Sequence, residues 1–231
     1  MRPHMGDADL SIAATSPWIV VTGLDGAGKS TLVARLAEDL DAQKLRLPHH
    51  DFVRACLARS GDGSPFGDIH TDRLLFALDA RLANYIIRDF RRNGVGLVSQ
   101  RGWMDNFIFG AVQGVSYEQC EAVLRASELE RPSAHIFLIA RPDVALSRLD
   151  GAENRDKYET AEFIALQHAE TIRFFNAARR GEQALRAFAD IPATLIDTTD
   201  ARCEDVRAEA LEFLTGLGYA VPMAASDAEA R

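Results

Sequence analysis

Residues 18–32, WIVVTGLDGAGKSTL, decide the fold. Trp18 to Gly23 is an apolar run of the length a buried strand needs. Beyond it, Leu32, Val33, Leu36 and Leu40 recur at the spacing of one helix face. Between strand and helix, Gly23-Leu24-Asp25-Gly26-Ala27-Gly28-Lys29-Ser30 satisfies G-x-x-x-x-G-K-[ST]. A strand entering and an amphipathic helix leaving is the context that gives this pattern meaning. Glycines let the backbone curl so that its N–H groups face phosphate oxygens, and the helix N-terminus adds partial positive charge.

Outward from this loop, short apolar runs recur at "KLRLP" from Lys44, "VGLVSQ" from Val95, "HIFLIA" from His135 and "ATLIDT" from Ala193. Helical periods separate them. Leu75, Leu78, Leu82 and Ile86 share one predicted face, with Gly94 as its stop. Ala161, Ile164, Leu166, Ala169, Ile172 and Phe175 form a mixed stripe, and "ARCEDVRAEALEFLTGLG" is a last amphipathic helix. Strands alternating with helices predict an α/β chain of the P-loop NTPase fold, with about five parallel strands and helices on both faces. Residues 17–218 form one domain. A disordered arm (1–16) and a flexible tail (219–231) flank it, both small and polar.

The chain has 231 residues, is 47% apolar and carries a net charge of −8. That is enough apolar material for a core, no run is long enough to span a membrane, and the start lacks the apolar stretch of a secretory signal. Three cysteines, Cys56, Cys120 and Cys203, stand far apart with no Cys-x-x-Cys pair, so a reducing, cytoplasmic setting is expected. The negative charge disfavours nonspecific attraction to nucleic acid. Arg88, Arg91 and Arg92 in "RDFRRNG" leave a local basic patch open, beside the plainer reading of cations completing a helix C-terminus.

The loop assigns a phosphate donor. Gly23, Asp25, Gly26, Ala27, Gly28, Lys29, Ser30 and Thr31 are the expected ATP site, with Lys29 reaching the β and γ phosphates and Ser30 ligating Mg²⁺. Asp25 would repel a triphosphate unless it faces away, toward a sugar hydroxyl for example; its alternative is a turn-stabilising aspartate. The adjacent His49 and His50 diverge and lack further spaced ligands, so they do not make a metal site.

The sequence resembles the thymidylate kinase family from Ile19 to about Leu214. The resemblance rests on "GLDGAGKST", "DRLLFALDARLANYI", "VSQRGW", "IFLIARPDVALSRLDGAENRDKYE" and "TLIDTTDARCEDVRAEALEFL". It implies Asp25 on the sugar hydroxyl, Phe76 on the base, and Arg81, one position out of register, on the acceptor phosphate. Arg101 follows the third strand as a second clamp. The resemblance also implies a small Arg-bearing lid at about 149–158 and pairing of two copies through helices near Phe76 and Phe107. Ala27 puts no arginine in the loop, so Arg148 and Arg155 are the candidate lid cations, or else solvated helix charges. Gln100 stands where the family has an aspartate. Asp51 is the nearest carboxylate to compensate, as metal ligand, general base or simply a helix cap. Near the base site, Asp105 and Asn106 fall close to an expected Ser, Gln113 lies beyond an expected Gln, and Trp103 is either a stacking ring or core.

The expected function is ATP-dependent phosphoryl transfer to a nucleoside monophosphate through a rebuilt base pocket. A kinase of a nucleoside, or of a hydroxyl on a modified base in DNA, is the alternative. A hydrolytic nucleotide switch is the alternative of another class; Gln100 could be misread as its water-positioning residue, and the Arg-bearing lid segment argues for transfer instead.

Overall fold

The computed structural model describes residues 16–59, 68–125, 127, 129–149 and 160–219. The expected arm up to Pro17 is therefore described only at Ser16, the lid only at Leu149 and the tail only at Tyr219.

Five strands, β1 (Trp18–Gly23), β2 (Gln43–Arg46), β3 (Leu97–Gln100), β4 (Ala134–Ile139) and β5 (Ala193–Asp197), form one sheet in the order β2-β3-β1-β4-β5. Every pairing is parallel. The helices are α1 (Lys29–Asp39), α2 (Asp51–Ala58), α3 (Ile69–Arg92), α4 (Asp105–Val112), α5 (Tyr117–Arg125), α6 (Pro142–Leu149), α7 (Ala161–Arg179), α8 (Arg186–Ala189) and α9 (Cys203–Gly216). Five short runs thus became five strands: β1, β3, β4 and β5 carry β-branched residues, whereas β2, QKLR, carries none and lies at the sheet edge with only Leu45 buried.

Strand alternation divides the core. Trp18 and Val20 of β1 pack with residues of α3, α4, α5 and α7, whereas Ile19 and Val21 pack with α1 and α9 on the other face. Because β1 is central and fully buried, the loop leaving it sits in the crevice beyond the carboxyl ends of the strands, where open parallel sheets bind ligands.

Two expected helix features are corrected. His50, not Asp51, is the N-cap residue of α2, and Asp51 is its first helical residue. The leucines of α3 do not form its buried face: Leu78 is 44% exposed, while Asp72, Arg73, Ala77, Asp79, Ala80, Ala83, Asn84 and Ile87 point inward. The basic stretch at the end of α3 is also largely committed. Arg88 and Arg91 reach Glu130 at 2.6 and 2.9 Å, and Arg91 also donates to the Ser16 carbonyl.

Candidate active site

The phosphate loop is held by close backbone packing. A Cβ at Gly23 would lie 2.1 Å from the Leu138 carbonyl oxygen, and one at Gly26 would lie 2.2 Å from that of Ala145. Gly26 also has φ +82, so both space and backbone conformation require glycine there. The loop ends as α1 begins, where helix geometry leaves the first N–H groups without intrahelical acceptors. Asp25 to Leu32 line a cleft of about 490 Å³, completed by Arg35, Arg46, Gln100, Arg148, Leu149 and residues of the β5–α9 region.

Lys29 is buried, and its ammonium donates to the Leu24 carbonyl at 2.7 Å and to Asp25 Oδ1 at 2.9 Å. From the other side, Arg101 donates to both Asp25 oxygens at 2.9 and 3.1 Å. Burial alone would raise the Asp25 carboxyl, but Lys29 and Arg101 together hold it well below the usual carboxylate range. Burial pushes the Lys29 ammonium down as well, with Asp25 opposing and Arg101 adding to the push. The two downward shifts have different causes: Asp25 moves down despite burial because it faces two cations, and Lys29 moves down because burial outweighs its attraction to Asp25. The ion-paired state is the one this geometry supports.

Arg101 has φ 67, the left-handed region that costs a non-glycine residue roughly 1–3 kcal/mol. Its N–H donates to the Val21 carbonyl at 2.9 Å, and its guanidinium lies 4.9 Å from the Phe109 ring centre. This conformation turns the side chain from the end of β3 toward Asp25. Beside it, Leu47, Phe76, Asp79, Ala80, Gly102, Trp103, Asp105, Asn106 and Phe109 line a narrow slot of about 10 Å³. Phe76 and Phe109 face each other across it, with ring centres 6.2 Å apart.

The remaining expected residues divide. Arg148 donates to the Thr198 and Thr199 carbonyls at 2.7 and 3.1 Å and to the Gly26 carbonyl at 3.4 Å. It therefore forms a fixed wall of the donor cleft, tying the loop after β5 to the phosphate loop. Arg155 lies outside the described residues. The structure does not bring Arg81 to the slot: it donates to the Ser127 carbonyl at 2.8 Å and covers the Tyr85 ring, while Ala80 occupies the slot-facing position. Nor does it bring Asp51 there. Asp51 is solvent-exposed, pairs with Arg54 and lines neither the cleft nor the slot.

Trp103 forms slot wall and core at once. Its indole N–H donates to the Glu130 carbonyl at 2.8 Å and its ring packs on Phe188 at 4.9 Å. Asp105 accepts from the Thr22 hydroxyl at 2.7 Å and from the Gly102 N–H at 2.8 Å, bracing the floor beneath Arg101. Burial raises its carboxyl above the usual range, against Arg101 and these hydrogen bonds.

Three residues escaped the sequence reading. Asp79 accepts from the His49 and His50 N–H groups, both at 2.8 Å, and from the His50 ring at 2.9 Å, fixing the β2–α2 turn beside the slot. Arg73 is buried behind Phe76 and donates to the Asn106 carbonyl at 3.1 Å. Arg46, at the end of β2, lines the donor cleft opposite the phosphate loop. For Asp79 and Arg73 the available signal was polarity on a helix face otherwise made largely of alanines; Arg46, on β2, had none. No cluster of three His, Cys, Asp or Glu capable of holding a metal occurs among the described residues.

A glycine loop shaped for phosphates, one carboxylate from a slot with its own arginine, is an arrangement suited to a phosphotransferase. The thymidylate kinase family model matches residues 21–209. The chain belongs to the thymidylate kinase family. It is an ATP-dependent nucleoside monophosphate kinase. Among the family's proteins, it is 27% identical over 219 residues to the thymidylate kinase of Ralstonia nicotianae, covering 88% of this chain and 100% of that one. It is 30% identical over 163 residues to a probable thymidylate kinase of Pyrobaculum calidifontis, covering 64% and 76%. The solved thymidylate kinase of Candida albicans superimposes with a TM-score of 0.69 at 15% identity, over 89% of this chain and 93% of that one. That likeness confirms the fold. The kinase reading stands over the hydrolytic switch. No described helix is long and apolar enough to cross a membrane.

Proposed function

We propose that the acceptor's base enters between Phe76 and Phe109 and that its phosphate meets Arg101, with ATP phosphates on the loop from Gly23 to Thr31. The observation that carries this reading is the Asp25 bridge. One carboxylate contacts Lys29 on the donor side and Arg101 on the acceptor side, at 2.9 Å each. Phosphoryl transfer needs cations around spreading negative charge and little covalent help, and these two supply it. The slot is narrow, so the acceptor enters as the Phe76 and Phe109 rings part. Relatives carry the name thymidylate kinase, which makes thymidylate the first acceptor to try.

The oxygen donors around the loop suit Mg²⁺. Ser30, the second residue of α1, lines the cleft, and Gln100 lines the same space with a neutral amide oxygen. Ser30 and Gln100 would hold the ion, which when bound neutralises charge on the β and γ phosphates. With Asp51 exposed on α2, no general base is needed for an acceptor already ionised. Lys29 and Arg101 orient the two phosphates, and Asp25, freed in part as they turn to them, accepts from a sugar hydroxyl.

Leu74, Leu78 and Tyr85 form an exposed apolar stripe on α3, at 58%, 44% and 60%. A second copy of the chain covers it in a homodimer; Phe107, at 1% exposure, is interior and takes no part. Three free cysteines fit a reducing cytoplasm.

Arg101→Ala tests the acceptor assignment. The acceptor KM rises about tenfold or more while the ATP KM changes far less. An unchanged acceptor KM would remove Arg101 from the acceptor phosphate.

A further inference from the structure

The donor cleft is lined with cations in a chain whose net charge is −8. Lys29, Arg35, Arg46, Arg148 and Arg207 border it, and Asp25 is the one carboxylate among the described residues that do. Most of these cations are committed. Lys29 pairs with Asp25, Arg148 donates to the Thr198 and Thr199 carbonyls, and Arg207 donates to Asp39 and Glu204 at 2.7 and 3.1 Å. Arg35 is drawn outward toward Glu38 and Glu204, at 3.7 and 4.0 Å. Arg46 is exposed and has neither a carboxylate nor a carbonyl partner among the described residues.

The sheet sets where Arg46 can act. Leu45 packs with the core on the α3 side, so Arg46, next along β2, belongs to the face that α1 covers. Gln100 shares that face, because Ser99 before it accepts from the Trp18 indole on the α3 side. Arg46 and Gln100 are register partners at the carboxyl ends of β2 and β3. The Gln100 amide is neutral and leaves the guanidinium charge uncompensated. Arg148 and Thr198 border the cleft from the β4 and β5 side of β1, whereas Arg46 borders it from the β2 and β3 side. The acceptor slot lies beside Arg101, which follows β3, so the phosphoryl group that leaves the donor must face the β3 side. Arg46 and the terminal phosphate therefore share one end of the cleft.

We propose that Arg46 is a further catalytic residue, its guanidinium holding the γ-phosphate of ATP in two-point geometry and stabilising the charge that spreads over it during transfer. The inference rests on the kinase reading above. In the step, the bond between the γ phosphorus and the β–γ bridging oxygen breaks, ADP keeps the electron pair, and an oxygen of the acceptor phosphate forms the new bond. Arg46 moves no proton and makes no covalent bond. Ala27 puts no arginine in the loop and Arg148 is tied to carbonyls, so the end of β2 supplies a cation that can swing onto the transferring group.

The test compares the wild-type chain with Arg46→Ala by calorimetry, using ADP and β,γ-imido-ATP with Mg²⁺ and no acceptor, and then by turnover with a nucleoside monophosphate. Arg46→Ala is expected to bind ADP as the wild type does and the imido analogue about tenfold more weakly. Its kcat falls about 100-fold or more, while the acceptor KM changes less than about threefold. Added guanidinium ion restores part of the lost kcat in Arg46→Ala and none in Lys29→Ala. Arg46→Lys keeps the charge without the fork and falls between. Both substitutions at this exposed position leave the melting temperature unchanged. Equal weakening of ADP and the imido analogue, or a raised acceptor KM with imido binding unchanged, would overturn the proposal by placing Arg46 on other phosphates. A wild-type chain that binds neither nucleotide would overturn the donor-site reading itself. Tight wild-type binding matched by Arg46→Ala for both nucleotides would overturn this inference alone.

Discussion

Helices α1 and α3 both carry leucines at helical spacing, yet they turn those stripes in opposite directions. In α1, Leu32, Val33 and Leu36 lie against the sheet, which needs apolar bulk to cover it. In α3, Leu74 and Leu78 face outward, while Asp72, Arg73, Asp79 and Asn84 face inward among alanines. Three of these inward polar groups tie the helix to remote segments: Asp79 holds the β2–α2 turn, Arg73 the Asn106 carbonyl, and Asn84 the Glu130 N–H at 2.7 Å. Small Ala77, Ala80 and Ala83 let this helix approach closely. One helix therefore stabilises the sheet, and the other lines the slot beside Arg101 and leaves Leu74 and Leu78 exposed.

The sharpest way to break this contrast is substitution on each face, followed by urea unfolding at protein concentrations low enough to keep the chain monomeric. Leu36→Ala removes a fully buried side chain and costs about 3 kcal/mol. Asp79→Ala leaves the His49 and His50 N–H groups unpaired beside the slot and costs about 2 kcal/mol. An effect of Asp79→Ala no larger than a surface change would mean that the inward polar face does not hold the turn.

The pH dependence of stability separates the two carboxylates of the site. The folded-state pKa of Asp25 is depressed, so its contribution is present above its ordinary value near 3.8 and is lost only as pH falls below it. The pKa of Asp105 is raised, so the folded state holds the extra proton. Its contribution grows as pH falls through the raised value toward 3.8. Asp105→Asn should thus flatten the mildly acidic part of the profile, and Asp25→Asn should leave that part unchanged in shape. Matching effects from both substitutions would contradict the assigned environments.

The smallest expected change is Leu78→Ser. It alters monomer stability by no more than about 0.5 kcal/mol, because the side chain faces solvent. In sedimentation velocity at higher concentration, the same substitution shifts dimer to monomer. A dimer that survives it places the interface elsewhere.

These helices also show where the sequence was readable. The phosphate loop, its strand and α1 were legible because motif, periodicity and burial agree within fifteen consecutive residues, 18–32. The inner face of α3 was not, since its partners are remote: Asp79 and His50 are 29 residues apart, Asn84 and Glu130 46. Without those partners, leucine spacing pointed to the wrong face. Arg81 shows the same limit at the site. A one-residue register difference put Ala80 at the slot and sent the arginine to the Ser127 carbonyl. The left-handed turn at Arg101, which joins it to Asp25, had no local sign such as glycine.

The most direct test of the central claim is ADP release from Mg²⁺-ATP against a panel of nucleoside monophosphates and their parent nucleosides, with Lys29→Ala as the blank. The account predicts Lys29-dependent turnover with at least one monophosphate and none with the matching nucleoside. Turnover on nucleosides alone, or ADP release that ignores every acceptor, would contradict it.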